Sequence, residues 1–201
     1  MSNTDIISVL GRTDIYLIDQ IMKSRYIQGD VLLDAGCGTG KNLHWFLQNN
    51  FEIYAIDTDP AVIQYLTQEN KNLPPGRFRI NAVEHISFDT NFFDGIISSA
   101  VLHFAKNKLH FFEMMDEMYR VLKPGGTLFI RMASDIGIED RVHPLEDHNF
   151  LLPDGSSRFL LTRSLLEQLW SRYSFAYLDD FKTVNVNDIR CMSTLMLQKE
   201  K

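Results

Sequence analysis

LLDAGCGTGKN, residues 32–42, sets three glycines two apart, Gly36, Gly38 and Gly40, directly behind a run of apolar residues. Val31-Leu32-Leu33 is short and wholly apolar, the pattern of a strand buried on both faces. Lys41 to Asn49 reads as a helix. Glycine suits a strand-to-helix turn because the turn needs positive φ angles and because a ligand there must approach bare backbone. A tight turn with no ligand is the alternative. The next strand, Phe51 to Ile56, ends at Asp57 in EIYAIDTDP, residues 52–60. In a doubly wound sheet the first two strand ends are neighbours, and a carboxylate there can accept both hydroxyls of a ribose. Asp59, just before Pro60, suits a helix cap.

Two phosphate-binding readings fail at defined positions. G-x-G-x-x-G, counted from Gly36, puts its last position on Lys41. G-x-x-x-x-G-K-[ST] finds Gly40-Lys41, but Asn42 stands where a hydroxyl would bind Mg²⁺, and residue 35 is Ala35. A dehydrogenase or an NTP-binding enzyme is therefore disfavoured.

Outward from the loop, strands alternate with amphipathic stretches. Thr13 can cap a first helix with Ile15, Ile18 and Ile21-Met22 on its apolar face. Arg77–Ile80 is a third strand and Phe93–Ser98 a fourth. Leu109, Phe112, Met115, Met118, Tyr119 and Leu122 recur at helical spacing, with Pro124-Gly125-Gly126 as the stop. Thr127–Met132 is a fifth strand. Ser164 with Glu167 suggests a capping box for a last helix ending near Arg172. Phe175–Val184 and Cys191–Leu197 close the chain as two strands. The pattern predicts one α/β domain over residues 1–201, a sheet with helices on both faces.

The bulk properties are those of an ordinary globular protein: 201 residues, 45% hydrophobic and 23% charged. The formal net charge is −6 and no Lys/Arg stripe occurs, so no nucleic-acid partner is expected. No stretch has the length of a membrane span, and the start does not read as a signal peptide. With only two cysteines, Cys37 and Cys191, a reducing, cytoplasmic setting is expected.

Four separated segments occur in an order that resembles the class I, Rossmann-like S-adenosylmethionine-dependent methyltransferases. They are DAGCGTG (34–40), AID (55–57), FDGIISSAVLHF (93–104) and EMYRVLKPGGTLFI (117–130). The resemblance covers roughly Val31 to Met132 and implies a seven-stranded, mostly parallel sheet whose last strand is antiparallel. It implies S-adenosylmethionine as cofactor and S-adenosylhomocysteine as product. Asp34 and the backbone of Gly36, Cys37, Gly38 and Gly40 would surround the methionyl part, and Asp57 with Thr58 would hold the ribose. Asn81-Ala82 stands where many relatives carry an aspartate toward the adenine amino group; an Asn carbonyl oxygen can accept one such bond. Ser98 and Ser99 either line the pocket floor or fill space as small residues. The cofactor is net cationic and lacks phosphate, which suits a loop flanked by Asp34 and Asp57. Lys41 is expected to point to solvent.

The acceptor side is less defined. His103 is the candidate general base, or else a structural histidine bonded to backbone. Residues 133–161 are too long for a simple connection and are expected to form a lid shaping the acceptor pocket. Within them, His143, Glu146, Asp147 and His148 have metal-ligating side chains but loose spacing, and no metal is expected. Arg131, Arg141 and Arg158 either pair with Glu139 and Asp140 or face an anionic acceptor. A small-molecule acceptor is expected. A cofactor-binding protein without catalysis and a methyltransferase of macromolecules are the alternatives.

Overall fold

The computed structural model describes residues 3–201, with side chains from residue 6 onward. Two short helices, α1 (Asn3–Leu10) and α2 (Ile15–Met22), precede β1 (Val31–Ala35), α3 (His44–Gln48), β2 (Glu52–Asp57), α4 (Pro60–Glu69) and β3 (Phe78–Ile80). The chain continues through β4 (Phe93–Ser99), a 3₁₀ turn at Leu102–Phe104, α5 (Lys108–Val121) and β5 (Leu122–Ser134). Then come the short strands β6 (His143–Pro144), β7 (Asn149–Leu151) and β8 (Ser157–Phe159), the helix α6 (Arg163–Arg172), and β9 (Phe175–Tyr177), β10 (Lys182–Val186) and β11 (Arg190–Lys199).

The central sheet runs β10-β11-β5-β4-β1-β2-β3, with β9 paired to the end of β11. β1 to β5 are mutually parallel, and β11 lies antiparallel against β5. The expected seven strands are thus present in the main path, with β9 as an eighth. Strand order reverses between β1 and β4, which opens a crevice at their carboxyl ends. Adjacent residues along the central strands face opposite layers. Leu33 and Ile96 join the layer under α5 and α6, whereas Leu32 and Ile97 join the one under α2, α3 and α4. That double burial accounts for the unbroken apolar runs of β1 and β4. No helix among the described residues is long and apolar enough to cross a membrane.

Several local expectations need correction. α2 is capped by Asp14, whose carboxylate accepts the Tyr16 N–H, and it buries Leu17 and Gln20 while Ile15 and Met22 are exposed. Helix α3 is confined to residues 44–48, after a series of turns, and Arg77 lies just outside β3. Leu109 is exposed in the first turn of α5. That helix ends at Val121, ahead of the Pro-Gly-Gly. Lys199 reaches across from β11, and its Nζ donates to the Tyr119 and Leu122 carbonyls at 2.8 Å each. Residues 123–126 instead form an irregularity between the Phe93–Leu122 and Gly95–Thr127 pairs of the β4–β5 ladder. Phe175–Val184 is broken into β9 and the start of β10. The 133–161 segment folds as a three-stranded antiparallel sheet, β6-β7-β8, beside a small apolar cluster of Ala133, Ile138, Val142, Leu152, Leu160 and Cys191.

α6 ends at Arg172 as expected, but its cap is Thr162, whose Oγ1 accepts the Leu165 N–H at 3.1 Å. Urea unfolding should separate the two capping schemes. Thr162→Ala is expected to lower stability by about 1 kcal/mol, and Ser164→Ala by less than about 0.5 kcal/mol; the reverse order would restore the Ser164–Glu167 box.

Candidate active site

The loop after β1 is pinned to the end of β2. The Gly36 and Cys37 N–H groups both donate to the Ile56 carbonyl at 2.9 Å, and Gly40 N–H to the Cys37 carbonyl at 3.0 Å. Gly38 N–H donates to Asp57 Oδ2 at 2.8 Å, while Asp57 Oδ1 accepts the Asp59 N–H at 3.0 Å. The three glycines all have positive φ but do different work. A Cβ on Gly36 would lie 2.6 Å from Val101 Cγ2, and one on Gly40 2.6 Å from Leu66 Cδ2. A Cβ on Gly38 would meet nothing within 4 Å. Gly36 and Gly40 therefore serve close packing, and Gly38 presents bare backbone to open space.

That space is a cavity of about 520 Å³. Of the residues singled out in the sequence, Gly36, Gly38, Asp57, Thr58 and Asn81 line it. Cys37, Gly40, Ala82, Asp34 and Ser98 are not in its wall. Ser98 is fully buried in β4 with no partner for its hydroxyl, and the Ser99 hydroxyl is 3.4 Å from Asp14 Oδ2. The Asn81 carbonyl oxygen is already engaged, accepting the Ser87 hydroxyl at 2.5 Å. The far wall comes from residues that sequence reading passed over, among them Glu84, Phe104, Lys106 and His110. His110 Nδ1 accepts the Lys106 N–H at 3.0 Å, and Nε2 lies 3.1 Å from Glu84 Oε1. Burial pushes the Glu84 carboxyl up, but hydrogen bonds from its own backbone N–H and from His110 outweigh that and hold it below the usual range. The one sequence signal for this wall is Asn107. As the cap of α5 it accepts the His110 N–H at 2.8 Å and so sets His110 in the first turn.

A second cavity, about 290 Å³, lies on the other side of Ala100, which lines both. Ala100 holds φ +64° at the end of β4, and its N–H donates to the Arg131 carbonyl at 2.7 Å. His103 belongs to this second cavity. It is 8% exposed, and its Nδ1 accepts the Ala133 N–H at 3.3 Å. Burial, then the charges of Arg158 and Arg131, push its pKa down to about 4. A neutral ring accepting through Nδ1 carries its proton on Nε2. His103 is thus bonded to backbone through Nδ1, as the structural alternative to a general base has it, which leaves Nε2–H as its donor.

The arginine alternatives also resolve. Arg141 lies 3.6 Å from Asp188, and Glu139 pairs with Arg163 at 3.6 Å. Arg131 reaches Asp14 at 3.3 Å and stacks over Tyr16, while Arg158 lies over the Phe104 ring. Among the described residues, no group of three or more His, Cys, Asp or Glu side chains converges as a metal site.

The glycine loop can be tested against the ligand it would hold. A phosphate cradle needs backbone N–H groups aimed at the anion, yet those of Gly36, Cys37, Gly38 and Gly40 are all spent on protein acceptors. Asp34, 1% exposed behind the loop, leaves Oδ2 without a partner, and burial raises its pKa to about 7. An unsatisfied buried carboxyl beside an open, glycine-lined space favours a cationic or donor-rich ligand over a phosphate. The residues fit a nucleoside sulfonium.

A doubly wound sheet with such a site at its switch point defines the Rossmann-like class of nucleoside-binding folds. Residues 33–130, just under half of the chain, match the family described as a methyltransferase domain, in line with the class I, S-adenosylmethionine-dependent methyltransferases that the four sequence segments resemble. It is 34% identical over 108 residues to a biotin biosynthesis bifunctional protein of Teredinibacter turnerae, covering 49% of this chain and 18% of that one. It is 30% identical over 156 residues to a probable tRNA methyltransferase of Homo sapiens, covering 73% of this chain and 28% of that one. The chain thus spans less than a third of the length of these two relatives. In fold it is similar to the 1,6-didemethyltoxoflavin N1-methyltransferase of Burkholderia thailandensis, solved with S-adenosylhomocysteine. The TM-score is 0.67 at 19% identity, over 98% of this chain and 87% of that one.

Asp34 yields a pH test. Its folded pKa lies above the unfolded carboxyl value, so the protein without ligand loses stability as pH rises from about 4 to about 7. Asp34→Asn removes that loss. Its melting temperature should exceed the wild type's little near pH 4 and by a growing margin toward about pH 8, at ~2–4 °C per kcal/mol. A margin independent of pH contradicts the raised carboxyl.

Proposed function

We propose that this chain is an enzyme transferring the methyl group of S-adenosylmethionine to a small-molecule acceptor. The observation that carries this reading is the loop chemistry: the amides of Gly36, Cys37, Gly38 and Gly40 already satisfied, one glycine open to the cavity, and two carboxyl groups, Asp34 and Asp57, at its flanks. When bound, the cofactor supplies an electrophilic sulfonium methyl. In this reading Asp57 and Thr58 hold the ribose hydroxyls, Gly38 admits the ligand against bare backbone, and Asn81 stands on the adenine side. Asp34 stabilises the positive charge from behind Gly36, Cys37 and Gly40. Its role becomes electrostatic, acting through the loop without lining the cavity.

The acceptor enters from the Ala100 side, with the 133–161 segment and His103 as its walls. His103 offers no free basic lone pair there, because its Nδ1 accepts the Ala133 N–H. The acceptor therefore brings its own nucleophilic lone pair, and the protein's contribution is alignment. Holding two reactants in line supplies ~7–11 kcal/mol by itself. The open second cavity favours a transferring enzyme over a protein that only binds the cofactor.

An RNA acceptor is the second reading, raised by the tRNA methyltransferase among the relatives. The net charge of −6 and the small acceptor-side cavity weigh against it. The two buried, unpaired cysteines support work in a reducing, cytoplasmic compartment.

Calorimetry with S-adenosylhomocysteine tests the reading. The wild type is expected to give a saturable isotherm, and Asp57→Ala to bind about tenfold or more weakly through loss of charge-assisted hydrogen bonds. An isotherm for ATP or NAD with none for S-adenosylhomocysteine would overturn it.

A further inference from the structure

The second cavity has a charge character opposite to the first. Three arginines line it from distant parts of the chain: Arg131 from β5, Arg158 from β8 and Arg190 from the start of β11. His103 joins them from the turn after β4. The one acid in the wall is Asp154, and its Oδ1 already accepts the Ser156 N–H at 2.9 Å and hydroxyl at 2.6 Å. Asp14 balances Arg131 from behind through a 3.3 Å contact, yet the buried Arg131 Nε has no partner. Arg158 uses one nitrogen on the Ser157 carbonyl at 2.7 Å. Counting Asp14 as well as Asp154, the cluster keeps one formal positive charge in excess, with Nε2–H of His103 pointing the same way chemically, as a donor.

Guanidiniums hold planar oxyanions through paired N–H···O bonds, and several together select a carboxylate or a phosphate over a neutral isostere. Leu152, Val186 and Met192 complete the wall with apolar surface. The cavity is of a size for a small molecule and shares Ala100 with the space assigned to the methyl donor. Resting on the methyltransferase reading, we infer that the acceptor is a small organic acid. Its carboxylate or phosphate is held by Arg131, Arg158 and Arg190 with the His103 Nε2–H, and its apolar body lies toward Ala100. The anionic group is an anchor in this arrangement. Arg158 and Arg190 are binding residues for the acceptor and do not line the glycine-loop cavity, although Arg158 lies over the ring of Phe104.

The experiment uses the full chain saturated with S-adenosylhomocysteine and three probes of one shape: benzoate, phenyl phosphate and benzamide. Ligand-observed NMR titration in dilute buffer gives their affinities. At least one anion is expected to bind about tenfold or more tightly than benzamide, the value of one charge-assisted contact. Which anion binds better identifies the head group. Arg158→Gln with Arg190→Gln is expected to remove that preference while the calorimetric affinity for S-adenosylhomocysteine stays within about twofold. Circular-dichroism melting shows that the variant is folded, and the benzoate-to-benzamide comparison on the wild type stands without any variant. Equal binding of benzamide and both anions overturns the inference, as does an unchanged preference in the double variant. In either case intact S-adenosylhomocysteine binding leaves the methyltransferase reading standing. Failure of the wild type to bind S-adenosylhomocysteine overturns that reading and, with it, this one.

Discussion

Gly36 and Cys37 share the Ile56 carbonyl and Gly38 donates to Asp57, so the turn after β1 is fastened to the end of β2 by three hydrogen bonds. Positive φ angles at Gly36, Gly38 and Gly40 make that geometry available, and the parallel pairing of Asp34 with Ala55 and Ala35 with Ile56 brings the two strand ends level. The fastening has a chemical consequence. Amides committed to protein acceptors do not cradle an anion, and the carboxylates that receive or flank them favour positive charge. Ligand selectivity in this site thus begins in backbone hydrogen bonding, before any side chain touches a ligand.

From that turn the molecule divides into two chemically distinct spaces separated by Ala100. On one side lie Asp57, Thr58, Asn81 and the Glu84–His110 contact; on the other lie three guanidiniums and a neutral histidine. The left-handed conformation of Ala100 and its bond to the Arg131 carbonyl turn the chain at this border. Arginines dominate the charged groups on one side of that residue, and Asp57 and Glu84 outnumber Lys106 on the other.

The parts of this arrangement that were legible in the sequence are those written in local pattern. The unbroken apolar runs of β1 and β4, the glycine spacing, the Asp59-Pro60 cap and the terminal Asp57 are each set by neighbours in the chain. The parts that were not legible depend on distant partners. α2 turns Leu17 and Gln20 inward because Asp14 meets Arg131 and Gln20 meets Asp179, contacts that periodicity does not encode. The Pro-Gly-Gly segment follows the end of α5 but does not end it, since Lys199 closes that helix from 80 residues along the chain. Arg190 drew no notice in the sequence, because only the pairing of β11 with β5 and β10 brings it into the cavity that Arg131 and His103 also line. His103 stood out in the sequence by its place after strand four, but its bond to the Ala133 N–H is visible only in three dimensions.

The most direct test of the central claim is to follow the backbone amides of the loop by two-dimensional NMR while S-adenosylhomocysteine, ATP and NAD are added separately. The account predicts saturable shifts at Gly36, Gly38 and Thr58 with S-adenosylhomocysteine alone. Saturable shifts of the same glycine amides with ATP or NAD, or none with S-adenosylhomocysteine, would contradict it.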